Sequence, residues 1–119
     1  MKLRIRENSI RLRLTKSEVA EFGEKGLIEN STEFGKSAFI YALKSSDSAQ
    51  NLQASFENGR IEIVVPKAIT ENWTNTEEVG ISGEIESLKV LIEKDFACLT
   101  VRENEDESDA FPNPIEKFC

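Results

Sequence analysis

Four arginines, Arg4, Arg6, Arg11 and Arg13, fall at alternate positions on either side of a short turn. Guanidinium groups at that spacing project from one face of a strand pair, and their forked donors suit carboxylates or phosphates. The opposite chemistry gathers further on, where Glu103, Glu105, Asp106, Glu107 and Asp109 place five carboxylates within seven residues. Such a run attracts hard cations, but it lacks the Gly and the terminal Glu of an EF-hand loop, so no metal site is assigned to it. Cys98, in Phe96-Ala97-Cys98-Leu99, has the surroundings of a small buried hydrophobe rather than of a nucleophile, and Cys119 is terminal. The 119 residues contain no histidine, which removes the usual base of Ser-His and Cys-His sites and the commonest zinc ligand. Six glycines are dispersed at 23, 26, 35, 59, 80 and 83 and build no phosphate-cradling loop. The expectation is a non-enzymatic protein with no catalytic residues and no cofactor.

The length fits one domain, and 39% apolar with 31% charged residues fits a chain that buries a core. A formal charge of −7 gives no overall attraction to phosphate backbones or anionic lipid, so any nucleic-acid contact must be local. The opening Met1-Lys2-Leu3-Arg4-Ile5-Arg6 alternates charge with apolar residues and holds no signal-peptide core, and no stretch approaches the ~20 apolar residues of a membrane span. The expected setting is cytoplasmic, where the two cysteines stay free thiols.

The elements that must position the arginines repeat. Leu52, Ala54 and Phe56 alternate with polar residues, Asn58-Gly59 supplies a two-residue hairpin turn, and Ile61, Ile63 and Val65 answer on the far side. That turn sets Glu57 opposite Arg60, Phe56 opposite Ile61, Ala54 opposite Ile63 and Leu52 opposite Val65. Pro66 opens a helix through Ile69 and Trp73, and strands follow over about 79–85 and 88–93. The first half has the same order. Leu3 and Ile5, a turn at Glu7-Asn8-Ser9, and Ile10, Leu12 and Leu14 make a hairpin in which Ile5 pairs with Leu12, Arg6 with Arg11 and Arg4 with Arg13. Thr15-Lys16-Ser17-Glu18 reads as a capping box, Val19 and Phe22 form the helix stripe, Gly23 or Gly26 ends it, and strands near 27–33 and 38–43 complete the unit. Residues 2–44 and 51–94 thus read as two hairpin-helix-hairpin repeats, with one mismatch: Val19 and Phe22 are three apart, Ile69 and Trp73 four.

The segment Gly59-Arg60-Ile61-Glu62-Ile63-Val64-Val65-Pro66-Lys67-Ala68-Ile69, with Leu88-Lys89-Val90-Leu91-Ile92-Glu93 downstream, resembles the AbrB-type swapped-hairpin domain of bacterial regulators and antitoxins. The resemblance covers 51–94 and, more loosely, 2–44, where Thr15-Lys16 stands in place of Pro-Lys. It implies that two units in one chain form a fused pseudo-dimer, a small closed barrel over 1–94. The whole chain is also similar to a family of short, functionally uncharacterised bacterial proteins, through its Ile5-Arg6 to Arg13-Leu14 opening and through Glu93-Lys94-Asp95-Phe96-Ala97-Cys98-Leu99 running into the acidic segment and Phe111-Pro112-Asn113-Pro114. That second resemblance implies no activity and no site residue.

Residues 1–44 carry +3 and the remainder −10. Like charges directly opposed across a hairpin are destabilising, so the arginine face wants an anion. Three readings compete: a solvated face partly neutralised by Glu on neighbouring strands, a face covered by the acidic tail of the same or another chain, and a face that contacts DNA phosphates as AbrB-type domains do. The extension 95–119 is acidic and Pro-containing, and it is expected to rest partly on the domain, with Glu105, Asp106, Glu107, Asp109 and Phe111 as docking residues. The expected architecture is β-rich α+β, with a core of Leu3, Ile5, Leu12, Leu14, Val19, Phe22, Phe56, Ile61, Ile63, Trp73, Val90 and Ile92. The expected role is an interaction or binding module whose partner is an unidentified protein or its own tail. The alternative is an AbrB-like DNA-binding regulator, or an antitoxin-like protein using the basic hairpin and acidic tail.

Overall fold

The computed structural model describes residues 1–96 and residue 111. Ten elements follow in chain order: β1 (Lys2–Arg6), β2 (Ser9–Leu14), α1 (Lys16–Lys25), β3 (Leu27–Glu33), β4 (Ala38–Ser46), β5 (Gln53–Glu57), β6 (Arg60–Pro66), α2 (Lys67–Asn75), β7 (Gly80–Ile85) and β8 (Leu88–Lys94). The class is β-rich α+β. Local chemistry explains the helix ends. Thr15 accepts from the Glu18 amide while the Glu18 carboxylate accepts from the Thr15 amide, a reciprocal capping box, and Gly26 closes α1 in the left-handed region at φ 71°.

The strands form two four-stranded sheets ordered β1-β2-β8-β7 and β3-β4-β6-β5. Every hairpin is antiparallel, and the central pairs β2/β8 and β4/β6 are parallel. Each half of the chain therefore gives its first hairpin to one sheet and its second to the other. A closed barrel does not form. The seams between the sheets are made by side chains rather than by a backbone ladder. Leu52, just before β5, lies over Gly83 of β7 so closely that a Cβ there would sit 2.4 Å from Leu52 Cδ1. Tyr41 of β4 donates its hydroxyl to the Met1 carbonyl at 2.8 Å.

The core lies between the sheets and beneath the helices. Leu12, Leu14, Ile81, Val90 and Ile92 from the first sheet meet Ile28, Leu43, Ile61, Ile63 and Val65 from the second, with Val19, Phe22 and Trp73 from the helices. Two expected core residues are displaced: Ile5 is 55% exposed and Phe56 67% exposed. Both keep the inward parity of their strands but sit beside the hairpin turns, beyond the cover of the opposite sheet. Leu3 is half-buried at the core's margin. The helix mismatch also resolves. Ile69 is 40% exposed and Thr70 is buried, its hydroxyl donating to the Pro66 carbonyl at 3.3 Å. The inward pairs are thus Val19/Phe22 and Thr70/Trp73, both three apart. Phe22 and Trp73 meet edge to face, with ring centroids 6.3 Å apart.

The second hairpin has the expected register over β5 and β6, with Glu57 opposite Arg60, Phe56 opposite Ile61 and Ala54 opposite Ile63. Its turn is held by Asn58 at φ 52° and Gly59 at φ 74°. A Cβ on Gly59 would also lie 3.2 Å from the Ala38 carbonyl oxygen. Gly59→Ala is expected to cost about 1–2 kcal/mol, the penalty of a side chain in the left-handed region. Urea denaturation measures it; an unchanged midpoint would mean that the turn relaxes freely to another geometry.

Candidate functional site

The first hairpin differs from its expected register by two residues. Glu7 enters the left-handed region at φ 50°, so Glu7-Asn8 is a two-residue turn and Arg6 faces Ser9. The pairs are Leu3 with Leu12, Arg4 with Arg11, and Lys2 with Arg13. The Ser9 hydroxyl donates to the Arg6 carbonyl at 2.7 Å. The Asn8 amide group donates to the carbonyl (2.7 Å) and hydroxyl (3.0 Å) of Ser87, tying this turn to the β7–β8 turn.

All four arginines still share the outward side, because alternation is preserved under a two-residue shift. The parallel partner then widens the face: Ser9, Arg11 and Arg13 lie beside Lys89, Leu91 and Glu93 of β8, and β7 adds Glu84 beside Lys89. The outer surface of the first sheet consequently presents Lys2, Arg4, Arg6, Arg11, Arg13 and Lys89, against Glu84 and Glu93. Lys2, Arg4, Arg6 and Lys89 are exposed, and Arg11 and Arg13 are half-buried.

Among the described residues, Glu93 is the main internal counterweight to Arg11 and Arg13. It accepts from Arg13 Nε at 2.7 Å and lies 3.6 Å from Arg11 Nε. Lys2 Nζ meets the Asp95 carboxylate at 3.0 Å, where the chain leaves β8 and the Asp95 amide donates to the Leu14 carbonyl at 2.8 Å. Neutralisation by a neighbouring-strand Glu is thus real at the end of the face near Arg13. The spacing of the arginines gave no sign of Lys2, Lys89, Glu93 and Asp95 as members of this site, because only the parallel β2/β8 pairing brings the later three to it.

The second sheet supplies the contrast. At the start of β6, beside the Asn58-Gly59 turn, Arg60 is held by Glu29 at 2.7 Å and Glu62 at 3.2 Å, and the Glu29 hydrogen bond chiefly raises its guanidinium pKa above the ordinary value. Its outer surface is acidic on balance, with Glu29, Glu33, Glu57 and Glu62 against Lys44 and Arg60. At Glu18, burial pushes the carboxyl upward, but the amino terminus and the Thr15 amide and hydroxyl outweigh it and hold the carboxyl below its usual range.

A cleft of about 520 Å³ opens between the end of α1 and the start of α2, with Lys25, Lys44 and Lys67 set against Glu24, Asp47 and Glu71. Opposite charges in equal number give it no preferred ligand sign. Among the described residues no group of three or more Cys, Asp or Glu side chains can hold a metal ion. No helix among them is long and apolar enough to cross a membrane. Glu105, Asp106, Glu107 and Asp109 lie outside the described residues, as do Cys98 and Cys119. Phe111 is among the described residues and is 96% exposed.

No curated protein and no solved structure matches the chain. The opening hairpin and the segment after β8, which carried the resemblance to an uncharacterised family, both fall within the reach of one family model. With residues 1–115 matched by that model, the chain belongs to the Family of unknown function (DUF7009).

Proposed function

We propose that this chain is a non-enzymatic binding module that works through the outer face of its first sheet and takes an anionic partner there. The observation that supports this best is the register: it sets Arg4 opposite Arg11 and Lys2 opposite Arg13, and Lys89 beside Ser9, on one solvent-facing surface. Opposed like charges weaken a sheet, and a face that keeps them gains when an anion arrives. A DNA-binding regulator of the AbrB type is the second reading. It is favoured by the exchange of hairpins between the two halves, the pairing that a duplicated swapped-hairpin unit would make, and by Trp73 standing 51 positions after Phe22 in the matching helix.

The test is fluorescence anisotropy of two labelled probes, a random-sequence DNA duplex and a polyglutamate peptide, titrated with the full chain and with Arg6→Glu/Lys89→Glu. The expected result is salt-sensitive binding of at least one probe, weakened about tenfold or more in the variant. Six cations less three carboxylates, Glu84, Glu93 and Asp95, would neutralise roughly three phosphates, for a log–log salt slope of about −2.7 on duplex DNA. Binding of the duplex alone supports the regulator, and binding of polyglutamate alone supports a protein partner. No binding of either probe at low salt, or equal binding by the variant, overturns the proposal.

A further inference from the structure

Resting on that reading of the basic face, we infer that its resident occupant is the chain's own acidic segment, Glu103 to Asp109, which competes with the external partner for the same cations. Three observations converge. The first is charge. Residues 95–119 carry −5 of the chain's −7, and five of their carboxylates fall between 103 and 109, opposite in sign to the six cations that the register gathers on the first sheet.

The second is where the chain leaves the fold. β8 is an inner strand of that same sheet, beside β2. At its end the Asp95 amide bonds to the Leu14 carbonyl at 2.8 Å, and the Asp95 carboxylate pairs with Lys2 of β1 at 3.0 Å. Asp95 thus sits at the end of β2, with its carboxylate directed to Lys2, the cation of β1 that pairs with Arg13, so the chain lies at the rim of the basic face as it leaves β8. The Asp95–Lys2 pair is the first carboxylate–cation contact between this extension and that face.

The third is reach. The seven residues 96–102 span up to ~25 Å when extended, whereas Lys2 to Arg6 along β1 covers only ~13 Å. The linker is therefore long enough for the acidic segment to reach the cations of β1. Exposed ion pairs are individually worth ~0.2–1 kcal/mol, too little to join separate molecules, but a tether of this length supplies an effective concentration of the order of millimolar. Several such pairs then compete with an external anion without blocking it outright, and salt weakens both alike.

The experiment compares four full-length chains by anisotropy against the same labelled duplex and polyglutamate: wild type; Glu103→Gln/Glu105→Gln/Asp106→Asn/Glu107→Gln/Asp109→Asn; that variant with Arg6→Glu/Lys89→Glu added; and a control, Glu21→Gln/Glu24→Gln/Glu33→Gln/Glu71→Gln/Glu77→Gln, which changes net charge equally at exposed positions away from the face. The expected result is affinity about tenfold tighter for the tail variant, little change for the control, and loss of the gain when Arg6 and Lys89 are reversed. A tail variant no tighter than wild type or than the control overturns the self-masking inference and leaves the basic-face reading standing. A tail variant whose binding survives the Arg6 and Lys89 reversal overturns that reading as well.

Discussion

Replacing Trp73 with alanine is expected to lower the thermal midpoint by roughly 15–30 °C, the largest effect of any single substitution considered. Its ring is fully buried, meets Phe22 of α1 edge to face, and carries the Lys94 ammonium 5.7 Å from its centroid. Its indole N–H donates to the Val79 carbonyl at 3.2 Å, and Lys94 also donates to the Thr76 carbonyl at 2.8 Å. One side chain thus joins both helices to the strands β7 and β8. Truncating a buried Trp costs about 3–5 kcal/mol, and each kcal/mol moves the midpoint of a domain this size by about 4–8 °C. Circular dichroism against temperature reads it. A drop below ~5 °C would mean that the Phe22–Trp73 contact does not organise the core, since surface substitutions already account for that much.

Glu93→Gln is expected to move stability and binding in opposite directions. The Glu93 side chain is only 19% exposed and that of Arg13 only 18%, so removing the carboxylate charge leaves Arg13 and the nearby Arg11 poorly compensated on a partly covered sheet. The expected loss is about 1–3 kcal/mol, the cost of unpairing a charged hydrogen-bonding group. The same change gives the face one more net positive charge, and affinity for a polyanion should rise severalfold. Urea denaturation and probe anisotropy on one preparation read both quantities. A variant that is less stable yet binds no more tightly would show that Arg11 and Arg13 serve the fold alone.

Much of this surface was legible from residues 2–14. Alternation alone put Arg4, Arg6, Arg11 and Arg13 on one side of a hairpin, and that assignment survives the register error, because a shift of two leaves side-chain parity intact. The error itself came from the turn. Asn58-Gly59 announces a two-residue turn through residues that accept positive φ, whereas Glu7 adopts the same conformation without such a signature. The helix stripe was misread at Ile69 because apolar character outranked position. Thr70 satisfies its hydroxyl within the helix and so takes the inward slot, leaving Ile69 outside.

What joins the hairpins could not be read from local pattern. The parallel pairs β2/β8 and β4/β6 link segments about 80 and 20 residues apart, and their choice depends on core packing rather than on any motif. Lys89 and Glu93 look like ordinary outward residues of β8 until that pairing sets them beside Ser9 and Arg13. Ile28, Leu43, Val65 and Ile81 entered the core for the same reason. The closed barrel failed as an expectation because strand number and order permit closure without requiring it: Leu52 over Gly83 and Tyr41 on the Met1 carbonyl fill the seams with side chains instead.

The measurement that bears most directly on the central claim is an amide chemical-shift map of the full chain during titration with the random-sequence duplex and, separately, with polyglutamate. The account predicts that for at least one of them the shifts concentrate on β1, β2 and β8, led by Arg4, Arg6, Arg11 and Lys89, and fade as salt is raised. Shifts centred on the second sheet or the Lys25–Lys67 cleft, or none with either probe, would contradict it.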